Sequence, residues 1–247
     1  MTVIARNPQD SENSALLVAP GYEGVTEAWF QPEFWDNRAK PVTTGGRGGA
    51  WFIDATPRKL VLRHYRRGGF VARLVEKSYW FSGYESARSL AEFRLLTELK
   101  SRGLPVPEPV AALAWKYRLF WYHAAILVER IPGAVTLPDS SDLSEKSLWI
   151  QLGGMIRRFH DHGLNHVDLN CDNILVSGDE MYLIDFDRCE LLPERDNRPN
   201  SAWKQRNIER LHRSVKKRCQ KLSPDLQECL WQHMLQAYAH KSDSTEC

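Results

Sequence analysis

Acidic and amide side chains between residues 166 and 187 have the types and the spacing that phosphoryl transfer requires. Residues 166–173 read HVDLNCDN, and Asp185 follows an apolar run as the first residue of the triplet DFD. Phosphoryl transfer needs a carboxylate that accepts or orients the attacking hydroxyl, and it needs oxygen ligands for the Mg²⁺ that neutralises charge on the phosphates. This short stretch offers both kinds of group.

Each of these residues can be given a role on chemical grounds. We assign Asp168 as the base or hydroxyl-orienting group, and Asn173 and Asp185 as metal ligands, with Asp185 the principal one. His166 is expected to brace the loop rather than to react. Taken singly, each could be an ordinary turn residue, because Asp and Asn favour turns. The order and spacing of the whole set instead match the catalytic loop H-x-D-L-x-x-x-N of protein kinases.

A helix and a hairpin are expected to hold this loop. Apolar residues recur at helical spacing from Leu148 to Phe159, which predicts a helix facing the core. After the loop, the apolar runs 174–176 and 181–184 flank four polar or glycine residues, a pattern typical of a β-hairpin. The catalytic set therefore spans the end of a helix and both ends of a hairpin.

The earlier part of the chain is mostly β in pattern. Residues 1 to about 15 are polar and expected to be irregular. A helix is predicted within residues 84–102, where leucines recur at helical spacing before Gly103. Strands are predicted over four further runs, namely 50–53, 59–65, 113–121 and 124–131.

These elements together predict an α+β fold of two lobes on the protein-kinase plan. The N-terminal lobe would be an antiparallel, β-rich unit with one main helix, and the C-terminal lobe would be mainly helical. Pro132 and Gly133 break the strand pattern, so the boundary is placed there. Residues 1–130 are the expected nucleotide-binding lobe, and residues 131–247 are the expected catalytic and acceptor-binding lobe.

Glu92 is a second candidate, which would support catalysis from the first lobe. Leu95, Leu96 and Leu99 follow it at i+3, i+4 and i+7, so its carboxylate lies beside the apolar face of the predicted helix. Burying a carboxylate without a cation is costly, and Arg63 on the preceding strand is the best upstream partner. Arg63 also occupies the place at which protein kinases have a lysine on the phosphates. Without that context, an exposed glutamate at the edge of the apolar face is equally compatible with the pattern.

Two further segments are candidates for nucleotide contact. Gly45, Gly46, Gly48 and Gly49 could let main-chain amides approach phosphates, although their spacing is not G-x-G-x-x-G and alone would indicate only a hairpin turn. The edge that holds Glu129 and Ile131 could offer main-chain groups to an adenine ring, an inference from the position of the lobe boundary.

Composition excludes several classes of protein. The chain has 247 residues, of which 43% are hydrophobic, and a formal net charge of +2, so it is not a nucleic-acid binder by overall charge. The five cysteines form no CxxC pair and are odd in number, which argues against a disulfide framework or a zinc site. No signal-like N-terminus or apolar run of membrane-spanning length is present.

Two local basic clusters suggest an anionic partner. Arg63, Arg66, Arg67 and Arg73 accompany several aromatic residues, which fits an anionic acceptor or an anionic membrane surface. A solvated surface would produce the same pattern. The second cluster is a predicted amphipathic helix with a cationic face, formed by Lys204, Arg206, Arg210, Arg213, Lys216, Lys217 and Arg218.

Over most of its length, the sequence resembles the bacterial 3-deoxy-D-manno-octulosonic acid (Kdo) kinases of lipopolysaccharide inner-core assembly, which are related to heptose kinases. The resemblance is more specific than the catalytic loop alone. It is carried by the segments GGRGGAWF, LVLRHYRRGG, AEFRLLTELKSRGLPVPEPVAA, LVERIPGA, HVDLNCDNIL and LIDFDR.

The resemblance implies a reaction, a cellular site and partners. ATP with Mg²⁺ would phosphorylate a Kdo hydroxyl, expected to be the 4-hydroxyl, on a Kdo-lipid A precursor. The protein would be peripheral, at the cytoplasmic side of the bacterial inner membrane, with an anionic membrane surface as partner and with no nucleic acid and no obligate protein partner. The carboxylate of Kdo and the phosphates of lipid A agree with the basic clusters.

Two departures from protein kinases keep alternatives open. Arg63 replaces the lysine, and Asp187 replaces the glycine after Asp185 and Phe186, where it could bind a second metal or cap a turn. The short remainder after Arg188 favours a small-molecule or glycolipid acceptor over a protein. The alternatives are another small-molecule kinase, acting on heptose, choline or an aminoglycoside, and a pseudokinase that binds a glycolipid without turnover.

Overall fold

The computed structural model describes residues 14–42, 49–65, 79–80, 87–117 and 121–240. The chain forms two compact units. The first combines residues 1–98 with 107–130, and the second combines residues 99–106 with 131–247. The first unit thus ends at Arg130, and residues 99–106, which lie within the span 1–130 predicted for the first lobe, belong to the second unit.

An antiparallel sheet forms most of the first unit. Its strand order is β1-β6-β7-β4-β3-β2, and β5 pairs with β7 outside this path. Helix α1, Arg88–Ser101, follows β5 and is tied to the sheet because Ser89 Oγ donates to the Leu113 carbonyl at 2.9 Å. The strands are β1 Ser14–Val18, β2 Ala39–Pro41, β3 Ala50–Ala55, β4 Arg58–His64, β5 Tyr79–Trp80, β6 Pro109–Tyr117 and β7 Trp121–Glu129.

One face of this sheet is covered by the chain between β1 and β2. That segment forms two short 3-10 helices, Glu27–Phe30 and Pro32–Arg38. They bury Phe30 and Trp35 against apolar residues of the central strands, including Leu60 and Leu62. Burying aromatic side chains of this size stabilises the unit strongly, so β4, the strand that carries Arg63, is held in a rigid core.

Helices make up most of the second unit. Helix α2, Lys146–Asp161, precedes the catalytic loop, and α3, Ala202–Arg218, and α4, Pro224–Ala239, follow it. Two small sheets complete the unit. One has β8 and β11 flanking β10, and in the other β9 pairs with β12. Their strands are β8 Val135–Thr136, β9 Leu164–Asn165, β10 Ile174–Ser177, β11 Glu180–Leu183 and β12 Glu190–Leu191.

Helices α2 and α4 pack with their backbones close together at Gly153. A Cβ atom at this position would lie 2.2 Å from the Met234 carbonyl oxygen, so only glycine permits the observed approach. Within the described residues, no helix is both long enough and apolar enough to cross a bilayer.

Most predicted elements form, with shifts at their ends. The two strands predicted at 113–121 and 124–131 lie at Pro109–Tyr117 and Trp121–Glu129, so their ends fall two to four residues earlier than predicted. The first strand begins at Ser14, just inside the N-terminal segment that was expected to be irregular. Helix α4 was missed, although Ser223 caps it by accepting from the Leu226 amide and Pro224 occupies its first turn, a recognisable start signal.

Candidate active site

The catalytic loop is anchored from beneath by a buried amide on α3. Asn207 is 4% exposed, and its Oδ1 accepts from the His166 amide at 3.1 Å. Its Nδ2 donates to Asn165 Oδ1 at 3.2 Å. A buried amide bonded to main chain on one side and side chain on the other fixes the start of the loop. Asn207 was not identified from the sequence.

His166 lies buried in the interior of the second unit. It is 1% exposed, and its Nε2 lies 3.1 Å from the Ile184 carbonyl oxygen. Because a carbonyl only accepts, Nε2 carries the proton, and the ring packs edge-on against Phe186 with centroids 5.4 Å apart. Burial lowers the pKa of His166, which keeps the ring uncharged at neutral pH. The bracing role of His166 stays a prediction.

The turn from Asn170 to Asn173 presents Asn173 toward the loop. Asn170 Oδ1 accepts from the amides of Asp172 and Asn173, at 2.9 and 3.2 Å, and so caps a short 3-10 turn. Asn173 Nδ2 donates to the Asp168 carbonyl at 3.0 Å. Because the NH₂ group of Asn173 is directed to the loop, its amide oxygen is the side-chain atom that could act as the predicted metal ligand.

The hairpin register brings Asn173 and Asp185 to neighbouring positions. Ile174 pairs with Leu183, and the pairing continues one step further because the Ile184 amide donates to the Asn173 carbonyl at 3.0 Å. Asp185 is the next residue, and it has a left-handed backbone with φ of 64°. Non-glycine residues rarely adopt this conformation, and they cluster at functional sites when they do.

The donor set fits Mg²⁺ better than a transition metal. Asn173 and Asp185 offer an amide oxygen and a carboxylate, which are hard oxygen ligands. In the described part of the chain, no group of three or more His, Cys, Asp or Glu residues could hold a metal ion. Two protein ligands are the usual number for Mg²⁺, which keeps waters and substrate phosphates as its other ligands.

Asp168 is the accessible carboxylate of the loop. Its side chain is 58% exposed, and Oδ1 lies 3.3 Å from Nη1 of Arg210 on α3. Its main-chain carbonyl is held by the side-chain amides of Asn170 and Asn173. The backbone is therefore fixed while the carboxylate stays open to a substrate hydroxyl. The contact with Arg210 was not predicted, because the two residues are 42 positions apart.

A second arginine of α3 holds the outer side of the same loop. Arg218 Nε donates to both carboxylate oxygens of Asp172 at 3.0 Å. The carboxylate raises the pKa of Arg218 further, so the arginine stays charged. Arg210 and Arg218 thus link α3 to both ends of the segment from Asp168 to Asp172.

The predicted cationic face of α3 is only partly correct. Lys204 is 5% exposed and lies over the Trp203 ring at 5.3 Å, and burial lowers its pKa. Lys204 was expected on the cationic face, but it shares the buried face of the helix with Asn207. Arg210 and Arg218 are engaged by carboxylates of the loop. The exposed positively charged residues that remain are Arg206, Arg213, Lys216 and Lys217.

A buried polar pair joins α2 to α4. His160 is 2% exposed, and its Nδ1 lies at hydrogen-bonding distance, 2.7 Å, from the Tyr238 hydroxyl. Burial lowers the pKa of His160 to about 3, and burial raises the pKa of Tyr238 to about 12. Both groups are therefore neutral at pH 7.

In the first unit, the predicted pair of Arg63 and Glu92 forms. Arg63 Nη2 donates to both carboxylate oxygens of Glu92, at 2.5 Å for Oε2. The hydroxyl of the buried Tyr65 also donates to Glu92, and the side chains of Arg63 and Glu92 are 28% and 3% exposed. The carboxylate is thus compensated by a cation and a hydroxyl.

The remaining nucleotide-binding candidates are only partly described. Gly45, Gly46 and Gly48 lie outside the described residues, whereas the Gly49 carbonyl accepts from the His64 amide at 2.8 Å. The Glu129 amide donates to the Glu108 carbonyl at 2.9 Å. Its carboxylate accepts from the Tyr22 hydroxyl at 2.5 Å, so any nucleotide contact by Glu129 would have to use another of its groups. The role predicted for Ile131 stays a prediction.

Comparison with known proteins places this site in a family. Residues 32–238 match the model of the lipopolysaccharide kinase (Kdo/WaaP) family. A 3-deoxy-D-manno-octulosonic acid kinase of Xylella fastidiosa strain M12 is 44% identical over 208 residues, covering 83% of this chain and 81% of the relative. The enzyme of the same name from Xanthomonas campestris pv. campestris strain B100 is 46% identical over 190 residues, covering 76% of this chain and 74% of the relative.

Solved structures share the fold at low sequence identity. WaaP in complex with acyl carrier protein matches with a TM-score of 0.54 at 16% identity, over 90% of this chain and 88% of that one. Rio2 kinase from Chaetomium thermophilum, in an ADP/Mg²⁺-phosphoaspartate complex, matches with a TM-score of 0.50 at 19% sequence identity. The match covers 95% of this chain and 75% of that one. These likenesses confirm the predicted α+β, protein-kinase-like fold. With the family model and the curated relatives, they show that the chain belongs to the lipopolysaccharide kinase (Kdo/WaaP) family.

Proposed function

We propose that this kinase transfers the γ-phosphoryl group of ATP to a hydroxyl of Kdo, expected to be the 4-hydroxyl, on a Kdo-lipid A precursor. The observation that carries the reaction is the hairpin register, which sets Asn173 beside Asp185 and next to the loop of Asp168. The acceptor is supported by the curated relatives, which are named as Kdo kinases and are 44–46% identical to this chain.

The residues of the second unit would divide the chemistry among them. Asp168, exposed and fixed through its backbone, would orient the acceptor hydroxyl and take its proton as the oxygen attacks the γ-phosphorus. Asn173 and Asp185 would hold Mg²⁺, which supplies electrostatic stabilisation of the phosphate oxygens when bound. His166 would act only through the position of the loop.

The first unit would contribute charge toward the nucleotide. Arg63 is fixed by Glu92 and Tyr65, so its guanidinium would approach the phosphates with little loss of side-chain entropy. An arginine here keeps the positive charge of the kinase lysine and offers a fork of donors. The four glycines from Gly45 to Gly49 would add main-chain amides.

A peripheral location at an anionic membrane surface, on the cytoplasmic side of the inner membrane, is part of the proposal. It is supported by the lipid nature of the acceptor and by the exposed residues Arg206, Arg213, Lys216 and Lys217 of α3. Co-sedimentation with vesicles of anionic lipid, compared with zwitterionic vesicles at equal salt, tests this. Equal binding to both would remove the electrostatic part of the proposal.

The reaction is tested by transfer of label from γ-labelled ATP, with Mg²⁺, to Kdo-lipid IVA by the chain alone. Lipid IVA without Kdo is the matched acceptor control, and a heptose-bearing acceptor tests the closest alternative. We expect labelling only when Kdo is present and Mg²⁺ is supplied. Labelling of the heptose acceptor instead would change the substrate, and ATP binding without any transfer would favour a pseudokinase.

A further inference from the structure

One arginine outside the catalytic loop contacts the exposed carboxylate of Asp168 in that loop. Arg210 lies on α3, and its Nη1 is 3.3 Å from Oδ1 of Asp168. We propose that Arg210 binds the carboxylate of the acceptor sugar and so makes the enzyme selective for an acidic sugar. This inference rests on the proposed function and deepens it, because it names the residue that distinguishes Kdo from a neutral sugar.

The contact with Asp168 leaves Arg210 available for a ligand. The side chains of Arg210 and Asp168 are 48% and 58% exposed, and a single contact at 3.3 Å between such groups contributes little to stability. A guanidinium carries five N–H donors in a planar fork that matches a carboxylate with two parallel hydrogen bonds. In the described part of the chain, Asp168 is the only hydrogen-bond partner recorded for Arg210.

Two other cationic residues of α3 are not available to bind a ligand. Arg218 donates to both oxygens of Asp172 at 3.0 Å, and Lys204 is buried. Arg210 is therefore the α3 residue that brings positive charge to the carboxylate where the acceptor hydroxyl must arrive.

The main-chain carbonyl and the carboxylate of Asp168 have different partners, and this difference places Arg210 with the acceptor rather than with the nucleotide. The main-chain carbonyl of Asp168 is bonded to Asn173, one of the two proposed metal ligands at the hairpin. The nucleotide phosphates would bind that metal. The carboxylate of Asp168 instead contacts α3 through Arg210, so an anion bound by Arg210 lies next to the attacking hydroxyl.

The chemistry of Kdo fits this spacing. In the sugar, the carbon that carries the carboxylate substituent and the carbon of the 4-hydroxyl are separated by a single methylene. One ring can therefore place its carboxylate on Arg210 and its hydroxyl on Asp168, whose contacting atoms are 3.3 Å apart. A neutral sugar would leave the guanidinium without this partner, and the loss of a charged hydrogen bond lowers affinity.

The test is steady-state kinetics of Arg210→Ala and Arg210→Lys with two acceptors. One acceptor is Kdo-lipid IVA, and the other is the same glycolipid with the Kdo carboxylate converted to a carboxamide. Arg195→Ala is the control, because Arg195 is 84% exposed in the same unit and its removal changes the net charge equally. Equilibrium binding of each acceptor in the presence of a non-hydrolysable ATP analogue gives a second readout for variants without turnover.

We expect Arg210→Ala to raise KM for the acidic acceptor roughly tenfold or more, with KM for ATP unchanged. With the carboxamide acceptor, KM of the wild type should rise by a similar factor. KM of Arg210→Ala should be the same for the carboxamide as for the acidic acceptor. For the acidic acceptor, KM of Arg210→Lys should lie between the values of the wild type and Arg210→Ala, because lysine keeps the positive charge but lacks the planar set of guanidinium donors.

Two results would overturn the inference. One is an unchanged KM for the acidic acceptor in Arg210→Ala, and the other is a rise in KM for ATP instead, which would assign Arg210 to the nucleotide phosphates. Failure of the proposed function is distinct, because then the wild type itself would not phosphorylate Kdo-lipid IVA.

Discussion

Glu92 in the first unit and Asp168 in the second are both carboxylates paired with arginine, yet they are held in opposite ways. The Glu92 side chain is 3% exposed and receives bonds from Arg63 and Tyr65. The Asp168 side chain is 58% exposed and has one contact at 3.3 Å. A buried carboxylate must be fully compensated, whereas an exposed one is free to exchange partners. The first arrangement fixes a structure, and the second leaves a group available for chemistry.

The largest effect that tests this comparison is expected for Asp168→Asn, which should reduce activity strongly and stability only slightly. Activity should fall roughly 10²- to 10⁴-fold, the usual contribution of a general base. The free energy of unfolding should change by less than about 1 kcal/mol, because the exposed pair contributes little. Labelled-phosphate transfer and urea denaturation measure the two effects. Normal turnover in this variant would remove Asp168 from the mechanism.

The reverse pattern is expected for Arg63→Met. Removing the cation leaves Glu92 buried without its main partner, which should cost about 3 kcal/mol of unfolding free energy, at the low end for such pairs because Arg63 is partly exposed. Lys59→Met is the control, since its pair with Asp54 is exposed at 54% and 42%. Its urea midpoint should stay almost unchanged. Equal midpoints for the two variants would show that the buried pair has no special role in the fold.

A substitution beneath the loop separates positioning from stability. Asn207→Ala should cost about 1–3 kcal/mol, because the His166 amide loses its buried acceptor, and kcat should fall as the loop loses its anchor. Asn197→Ala removes an amide that donates to the Asp161 carbonyl at 2.9 Å and has no hydrogen bond to residues 166–173 among those the structure describes. That variant should lose stability while keeping kcat. A normal kcat in Asn207→Ala would show that the loop does not depend on this anchor.

The smallest expected effect is a pH dependence set by burial. Because the folded-state pKa of His160 is about 3, below the ordinary value of 6.5, its contribution to stability is present above pH 6.5 and is lost as the pH falls. Acidification from pH 7.5 to 5.5 should therefore cost the wild type about 1.4 kcal/mol more than His160→Gln. Urea denaturation at the two pH values measures this difference. Equal losses in both proteins would mean that His160 titrates normally.

The sequence predicted the local parts of the site and missed the contacts between distant segments. The loop, the hairpin and the pair of Arg63 and Glu92 follow from spacing and from the cost of burying a charge. The contacts of Arg210 and Asn207 with the loop depend on how α3 packs, which spacing within the loop cannot show. A partial signal existed, because Lys204, Asn207, Leu211 and Val215 recur at i, i+3, i+7 and i+11 and share the buried face of α3.

The return of residues 99–106 to the second unit has a practical consequence for dissecting the protein. Gly103 and Pro105 carry carbonyls that accept from Arg158 Nη2 at 2.9 Å and from the Leu183 amide at 3.0 Å. A fragment that starts at residue 131 would leave the Leu183 amide without its partner beside Asp185, and orphaned buried amides are costly. Because the chain passes between the units three times, at residues 98, 106 and 130, no single cut separates them, and activity should be sought by mixing complementary fragments rather than by expressing one half.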